Sequence, residues 1–323
     1  MKVAFVGKGG SGKTTLSALF VRHLAASART VVAIDADINQ HLAAALGMSE
    51  DQAFLLPALG EHLPELKEYL RGSNPLISSA TAMVKTTPPG RGSRLLRPGG
   101  TDLVHQRFAR TVDGVTLLAT GAFTEDDLGV ACYHSKVGAV ELYLNHLVDQ
   151  PGEYVVVDMT AGADSFASGL FTRFDLTFIV AEPTRKGVSV YRQYRDYAAD
   201  HSVALAVVGN KITGPEDVEF LRRHVGDDLL VCLEHSPYVR AQEQGRHAPL
   251  DRLEDANRAA LDRLHAAVDA RPKDWTAFQA QAVAFHLKNA TAWADADTGE
   301  DLTRQIDPVF VHGPAALRAL SLN

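Results

Sequence analysis

The sequence predicts an α/β fold: a doubly wound, mostly parallel sheet with helices on both faces, a long insertion and a helical C-terminal extension. Three observations predict it. Short runs recur that are apolar throughout rather than alternating, as strands buried on both faces require. Between them lie stretches whose apolar residues repeat at helical spacing. The first strand-to-helix junction is the glycine-rich Gly7-Lys8-Gly9-Gly10-Ser11-Gly12-Lys13-Thr14-Thr15, and in such folds ligands gather at the carboxyl ends of the strands.

Lys2–Val6 reads as the first strand and Leu16–Leu24 as the helix that follows it. Thr30–Asp35 is the second strand, trailed by a short helix over His41–Leu46. An insertion then runs from about 47 to 114. It holds an acidic helical piece, Glu61–Tyr69, a loop from Thr86 to Arg94, and a turn at Pro98-Gly99-Gly100. Lys85, Arg91, Arg94 and Arg97 fall there with no acid among them, which reads as a solvated or mobile loop in preference to an anion- or partner-binding patch. The alternation resumes with strands at Val115–Ala119, Tyr154–Asp158, Leu176–Glu182, Val203–Asn210 and Leu229–Leu233. Helical stretches lie at Ser135–Val148, Gly187–Ala199, Pro215–His224 and Asp255–Ala270. Right-handed crossovers would fold residues 1–270 into one domain. Residues 271–323 form the extension, which carries both tryptophans, Trp275 and Trp293. Phe278, Ala282, Phe285 and Leu287 lie on one helical stretch there and are expected to dock on the main domain.

Bulk properties narrow the function. The 323 residues, 46% hydrophobic and 22% charged, are ordinary globular composition. A net charge of −7 argues against broad nucleic-acid binding, though not against a local basic patch. Two cysteines, Cys132 and Cys232, make no disulfide framework and fit a reducing compartment; Cys232, inside an apolar strand, reads as core. A strand at the very start leaves no signal peptide, and no apolar run approaches the ~20 residues of a spanning helix. The expectation is a soluble cytoplasmic protein.

The glycine-rich turn is a P-loop, Gly-x-x-x-x-Gly-Lys-Thr, in the strand-to-helix context it requires. Its glycines let successive N–H groups converge on phosphate oxygens, and the helix N-terminus adds partial positive charge. Gly9, Gly10, Ser11, Gly12, Lys13, Thr14 and Thr15 would cradle a nucleoside triphosphate, with Lys13 on the β- and γ-phosphates and Thr14 on Mg²⁺. The second strand ends Asp35-Ala36-Asp37-Ile38-Asn39, placing carboxylates where attacking water and Mg²⁺ are arranged; capping of the next helix is the competing reading. Tyr154–Asp158 has the Walker B form, an apolar strand ending in an acid for Mg²⁺.

Lys8 lies inside the glycine turn, and Lys-Gly-Gly-x-Gly-Lys-Thr-Thr resembles the deviant Walker A ATPases of the SIMIBI class. That class includes the MinD/ParA proteins, the arsenite and tail-anchor targeting ATPases, nitrogenase iron protein and the CooC-type nickel-insertion ATPases. The resemblance implies ATP hydrolysis by an ATP-dependent homodimer, with Lys8, Lys13 and Asp37 as the catalytic set. Lys8 would cross the interface to the partner's phosphates, and Asp37 would orient the hydrolytic water. Asp35 and Asp158 would serve Mg²⁺, and Gly162 of Asp158-Met159-Thr160-Ala161-Gly162 would sense the γ-phosphate as switch II. Asn210 of Asn210-Lys211 would read the adenine edge with its paired donor and acceptor. GTP-specific relatives continue to an aspartate where this chain has Ile212-Thr213, so ATP is the expected nucleotide. Ser236-Pro237-Tyr238 falls where a second adenine-flanking loop would lie.

Within the class, the pattern resembles the CooC-type ATPases of carbon-monoxide dehydrogenase maturation over roughly residues 1–250 apart from the insertion. These carry Cys-x-Cys where this chain has Cys132-Tyr133-His134, and Asp-Met-Glu-Ala-Gly where it has Thr160. Cys132 and His134 are competent ligands for Zn²⁺ or Ni²⁺, and two copies across a twofold axis would give a Cys₂His₂ set; a buried cysteine beside an unrelated histidine is the competing reading. The expected function is a Mg²⁺-dependent ATPase switch acting on a client protein, as a metallochaperone or maturation factor. The alternative is a MinD/ParA-like regulatory or localisation ATPase with a protein, nucleic-acid or membrane partner. No terminal basic amphipathic helix is present, which weighs against a membrane output. A metabolic kinase on the same fold is a weaker alternative, with no acceptor-substrate motif to support it.

Overall fold

Strand β1 (Lys2–Gly7) lies inside an eight-stranded sheet, and its continuous apolar run has a direct cause. Successive side chains of a strand point to opposite faces. Ala4 and Val6 enter one hydrophobic core, Val3 and Phe5 another, and all four are buried. The computed structural model describes residues 1–122, 133–162, 166 and 169–320, with backbone alone at 133–135 and 319–320.

In chain order β1 is followed by α1 (Lys13–Ala26), β2 (Thr30–Ala36), α2 (Leu42–Ala45), α3 (Glu50–Phe54), α4 (Leu63–Arg71) and α5 (Leu103–Phe108). Then come β3 (Arg110–Val112), β4 (Val115–Ala119), α6 (Tyr133–His146), β5 (Glu153–Met159), β6 (Leu176–Ala181) and α7 (Arg185–Ala199). The domain closes with β7 (Leu205–Ile212), α8 (Pro215–Val225), β8 (Leu229–Glu234), α9 (Pro237–Glu243) and α10 (Asp255–Asp269). The sheet order is β3-β4-β2-β5-β1-β6-β7-β8. Every neighbouring pair is parallel except β3 with β4. The chain leaves β1 toward β2 and β4, returns to β5, then builds β6 to β8 on the other side. That reversal beside β1 opens a crevice at the strands' carboxyl ends, where the glycine-rich turn lies.

The antiparallel edge strand β3 was not expected. It has three residues, and two of them, Arg110 and Thr111, are exposed, so no apolar run marks it. Cys232 in edge strand β8 is half-buried rather than fully in the core.

The insertion corrects one expectation. The Thr86–Arg94 loop is solvated only in part: Thr86, Thr87 and Ser93 are buried, while Arg91 and Arg94 are exposed. The extension holds it in place. Thr87 Oγ1 donates to Gln305 Oε1 at 3.2 Å, and Arg91 pairs with Asp307 at 2.8 Å. Arg97 pairs with Glu153 at 2.5 Å, and the Arg94 guanidinium lies 4.9 Å from the Tyr69 ring centre. The acids for Arg91 and Arg97 stand 216 and 56 residues away along the chain, so counting charges locally could not reveal them.

The extension consists of α11 (Trp275–Asn289), a π-helical turn (Ala290–Ala294), α12 (Asp295–Thr298) and α13 (Pro314–Leu320). It docks as expected, with Phe278 and Ala282 buried. Leu287 instead faces outward and His286 is buried, because positions 278, 282 and 286 share one helical stripe. Ahead of α11, Lys273 reaches Asp149 at 3.0 Å and Asp175 at 2.8 Å. Lys2 joins Asp149 at 2.6 Å, and its ammonium lies 4.7 Å from the Phe278 ring centre.

Candidate nucleotide-binding site

The P-loop curls because Gly10 and Gly12 take φ of +83° and +89°. Gly12 has a second constraint: a Cβ there would meet the Asn210 amide nitrogen at 2.3 Å. Asn210, at the end of β7, donates that amide to the Ser11 carbonyl at 2.8 Å. Its neighbour Lys211 donates to the Gly10 carbonyl at 2.7 Å and pairs with Glu182 at 2.6 Å. Two side chains from β7 therefore brace the loop from behind.

Below the loop, one lysine and three acids form a cluster. Lys13 is 8% exposed and forms an ion pair with Asp37, itself 3% exposed. Asp37 also accepts from the Asn39 backbone N–H at 3.0 Å. Asp35 accepts from the backbone N–H groups of Asp37 and Leu42 at 3.1 and 2.8 Å. The capping arrangement thus belongs to Asp35, at the start of α2, while Asp37 takes the ammonium. Asp158 is register partner to Asp35 across the β2–β5 pair and is fully buried. Its Oδ1 accepts from Ser17 Oγ at 3.3 Å, and its Oδ2 has no partner.

Burial, and next the charge of Asp158, lift the Asp35 carboxyl well above the usual carboxylate range. Burial lifts Asp158 too, opposed first by Lys13 and then by the Thr14 hydroxyl. A cluster that penalises its own negative charge is short of a cation. The orphaned Asp158 oxygen beside the Thr14 hydroxyl is an all-oxygen donor set, which fits Mg²⁺. Among the described residues no group of three or more His, Cys, Asp or Glu could hold a metal by itself.

A cleft of about 370 Å³ opens beside the loop, lined by Gly12, Leu16, Asn210, Ser236, Val239 and Glu243 among others. Its far wall is rigid: Asn257 accepts from the Glu234 N–H at 2.9 Å, and Ser236 donates to Glu254 at 2.6 Å. Asn210 and Ser236, 26 positions apart in sequence, thus face one cavity. Lys8 lies in the same glycine-rich loop, and its ammonium has no hydrogen-bond or ion-pair partner among the described residues. Gly162 takes φ of +79° at the end of the switch-like segment. Cys132, and the side chain of His134, lie outside the described residues.

Two residues at this site carry no role in the sequence reading. Ser17 lies one helical turn after Lys13, and that spacing is the signal that could have found it. Lys211 is the second; a lysine closing a strand beside the carbonyls of a glycine-rich loop is its signal.

Residues 3–113 match the CobQ/CobB/MinD/ParA nucleotide binding domain family. The chain is 28% identical over 269 residues to the carbon monoxide dehydrogenase accessory protein CooC of Rhodospirillum rubrum, covering 82% of this chain and 94% of that one. An uncharacterised ATP-binding protein of Methanocaldococcus jannaschii is also 28% identical, over 78% of this chain and 92% of its own length. Among solved structures, the ParA family ATPase of Chlorobium tepidum superposes with a TM-score of 0.58 at 13% identity, covering 82% and 98% of the two chains. MinD in the MinC:MinD cell division complex of Aquifex aeolicus gives 0.54 at 18% identity over 84% and 97%. No helix among the described residues is long and apolar enough to cross a membrane. Over residues 3–113 the chain is thus similar to the CobQ/CobB/MinD/ParA nucleotide binding domain, over most of its length to CooC, and in fold to the MinD and ParA structures.

Proposed function

We propose that this ATPase is a Mg²⁺-dependent dimeric switch that works as a CooC-like maturation factor for a metal-containing client protein. One observation carries the switch: a buried Lys13–Asp37 pair next to an unpaired Asp158 oxygen, with the ammonium of Lys8, in the same loop, lacking any partner among the described residues. The loop amides of Gly9 to Thr15 and Lys13 would take the phosphates, which requires Lys13 to leave Asp37. Asp37, freed of the lysine, would then orient the attacking water at the carboxyl edge of β2. Thr14, Asp158 and Asp35 would hold Mg²⁺, which neutralises charge on the β- and γ-phosphate oxygens when bound. Asn210 and the Ser236 loop would flank the adenine in the cleft. Lys8 would complete the partner's site, as an arginine finger does, so binding and hydrolysis would set the dimer equilibrium.

The maturation reading rests on the likeness to CooC, which spans nearly that whole protein, and on the Cys132-x-His134 pair in the sequence. Light scattering with ADP and with a slowly hydrolysed ATP analogue tests the switch: a dimer only with the analogue, lost in Lys8→Ala, is expected. A monomer in both states removes the trans role of Lys8. Zn²⁺ and Ni²⁺ titration of wild type, Cys132→Ser and His134→Ala tests the metal: one ion per dimer is expected in wild type alone. Equal binding by all three, or by none, leaves a nucleotide switch without metal delivery.

A further inference from the structure

Asp37 is held at three atoms by its own turn, and a fourth is left for Lys13. Its backbone N–H donates to Asp35 Oδ1 at 3.1 Å. Its carbonyl accepts twice from Gln40, from the side-chain amide at 2.7 Å and from the backbone N–H at 3.3 Å. Its Oδ1 accepts twice from Asn39, from the backbone N–H and from the side-chain amide, both at 3.0 Å. Oδ2 pairs with the Lys13 ammonium.

The backbone N–H of Asn39 closes an Asx turn, which an aspartate forms readily in any loop. The second donor on the same oxygen is not needed for that turn. Asn39 is exposed, and its amide nonetheless turns inward to a carboxylate that is 3% exposed. Gln40 carries a second sign of constraint: its φ of +53° lies in the left-handed region, which crowds a Cβ. Side chains persist in such a conformation where the surrounding contacts over-determine it, and such positions cluster at functional sites. Here those contacts are the two hydrogen bonds from Gln40 to the Asp37 carbonyl.

We propose that Asn39 is a positioning residue for hydrolysis: its two donors fix Asp37 Oδ1, so that Oδ2 keeps its place and direction when Lys13 moves to the phosphates. The proposal rests on the reading of Asp37 as the group that orients the attacking water. The terminal torsion of an aspartate is broad and roughly two-fold. A carboxylate without such an anchor would follow the departing ammonium or present either oxygen to the water. With Oδ1 anchored and the carbonyl tied by Gln40, one oxygen remains, and it already lies beside the phosphate-binding lysine. Orientation fixed in advance matters in such a step, since a misplacement of about 1 Å slows a reaction by as much as about 100-fold.

The experiment uses the full chain with Mg²⁺ and measures single-turnover ATP hydrolysis beside calorimetric affinity for a slowly hydrolysed ATP analogue. Asn39→Ala removes an exposed side chain and keeps the backbone N–H, so the fold and the turn stay. Hydrolysis should slow by about tenfold while analogue affinity stays within about twofold of wild type. Asp37→Ala should be slower still. Adding Asn39→Ala to it should change the rate no further, because the residue being positioned is gone. A wild-type rate in Asn39→Ala, an affinity that falls as far as the rate, or an equal slowing in both backgrounds overturns the positioning role alone. A wild-type rate in Asp37→Ala overturns the reading of Asp37 and the positioning role together.

Discussion

Asp35 and Asp158 stand side by side as register partners on the parallel strands β2 and β5, both buried at the carboxyl end of the sheet. Two carboxylates so placed repel each other and lose solvation, and the Asp35 carboxyl rises accordingly. Lys13 lies close enough to offset part of that for Asp158, but its ammonium is bonded to Asp37. With Lys13 on the phosphates, as proposed above, a bound nucleotide would compete with Asp37 for the lysine.

Removing that competitor separates binding from chemistry. Asp37→Asn keeps the size of the side chain but loses the charge that pairs with the ammonium. ATP affinity should be retained or strengthened, while single-turnover hydrolysis should slow by about 100-fold, the usual worth of a positioned acid–base group. Turnover equal to wild type would move the water-positioning role away from Asp37.

Gly12→Ala should disable the loop without unfolding the sheet. The new methyl would meet the Asn210 amide at 2.3 Å, and the backbone would keep a φ of +89° that alanine disfavours by about 1–2 kcal/mol. Calorimetry should find nucleotide binding lost, with a melting temperature within a few degrees of wild type. Undiminished ATP affinity would show that the loop does not need this conformation.

Acid should destabilise the fold over a defined range. Burial holds His146 at about 4, below its ordinary 6.5, and its Nε2 has no partner to accept a proton's charge. Between those values the unfolded chain binds the proton and the folded one does not. Stability is therefore present in full above pH 6.5 and falls as pH drops toward 4, by about 3 kcal/mol for this group. Burial lowers His286 and His312 as well, with the same sign. Denaturation midpoints at pH 7 and 4.5 measure the slope, which should shrink in His146→Leu. An unchanged slope in that variant would assign the effect elsewhere.

The extension should prove part of the fold's stability through one lysine. Lys273 is joined to Asp149 and Asp175, and these side chains are at most 10% exposed. Lys273→Met leaves Asp175 with the Lys2 backbone N–H at 2.7 Å as its hydrogen-bond donor among the described residues. The loss should be about 3 kcal/mol, the scale of breaking a buried ion pair. Urea denaturation measures it, and a change under 1 kcal/mol would mean that water reaches the acids.

The sequence by itself determined the doubly wound sheet, the P-loop and the positions of most strands, because both signals are local. Burial on two faces writes unbroken apolar runs such as Tyr154–Asp158, and phosphate binding writes glycines and a lysine at fixed spacing. Tertiary structure alone decided which carboxylate meets Lys13 and which one caps α2, since Asp35 and Asp37 differ by two positions and a turn of backbone. It also decided that Lys211 braces the loop, that β3 joins the sheet as an antiparallel edge, and that Thr86, Thr87 and Ser93 are buried in a loop the extension holds. These depend on partners such as Asp307, 216 positions from Arg91. Chain closure over such distances brings together charges whose pairing no local pattern encodes.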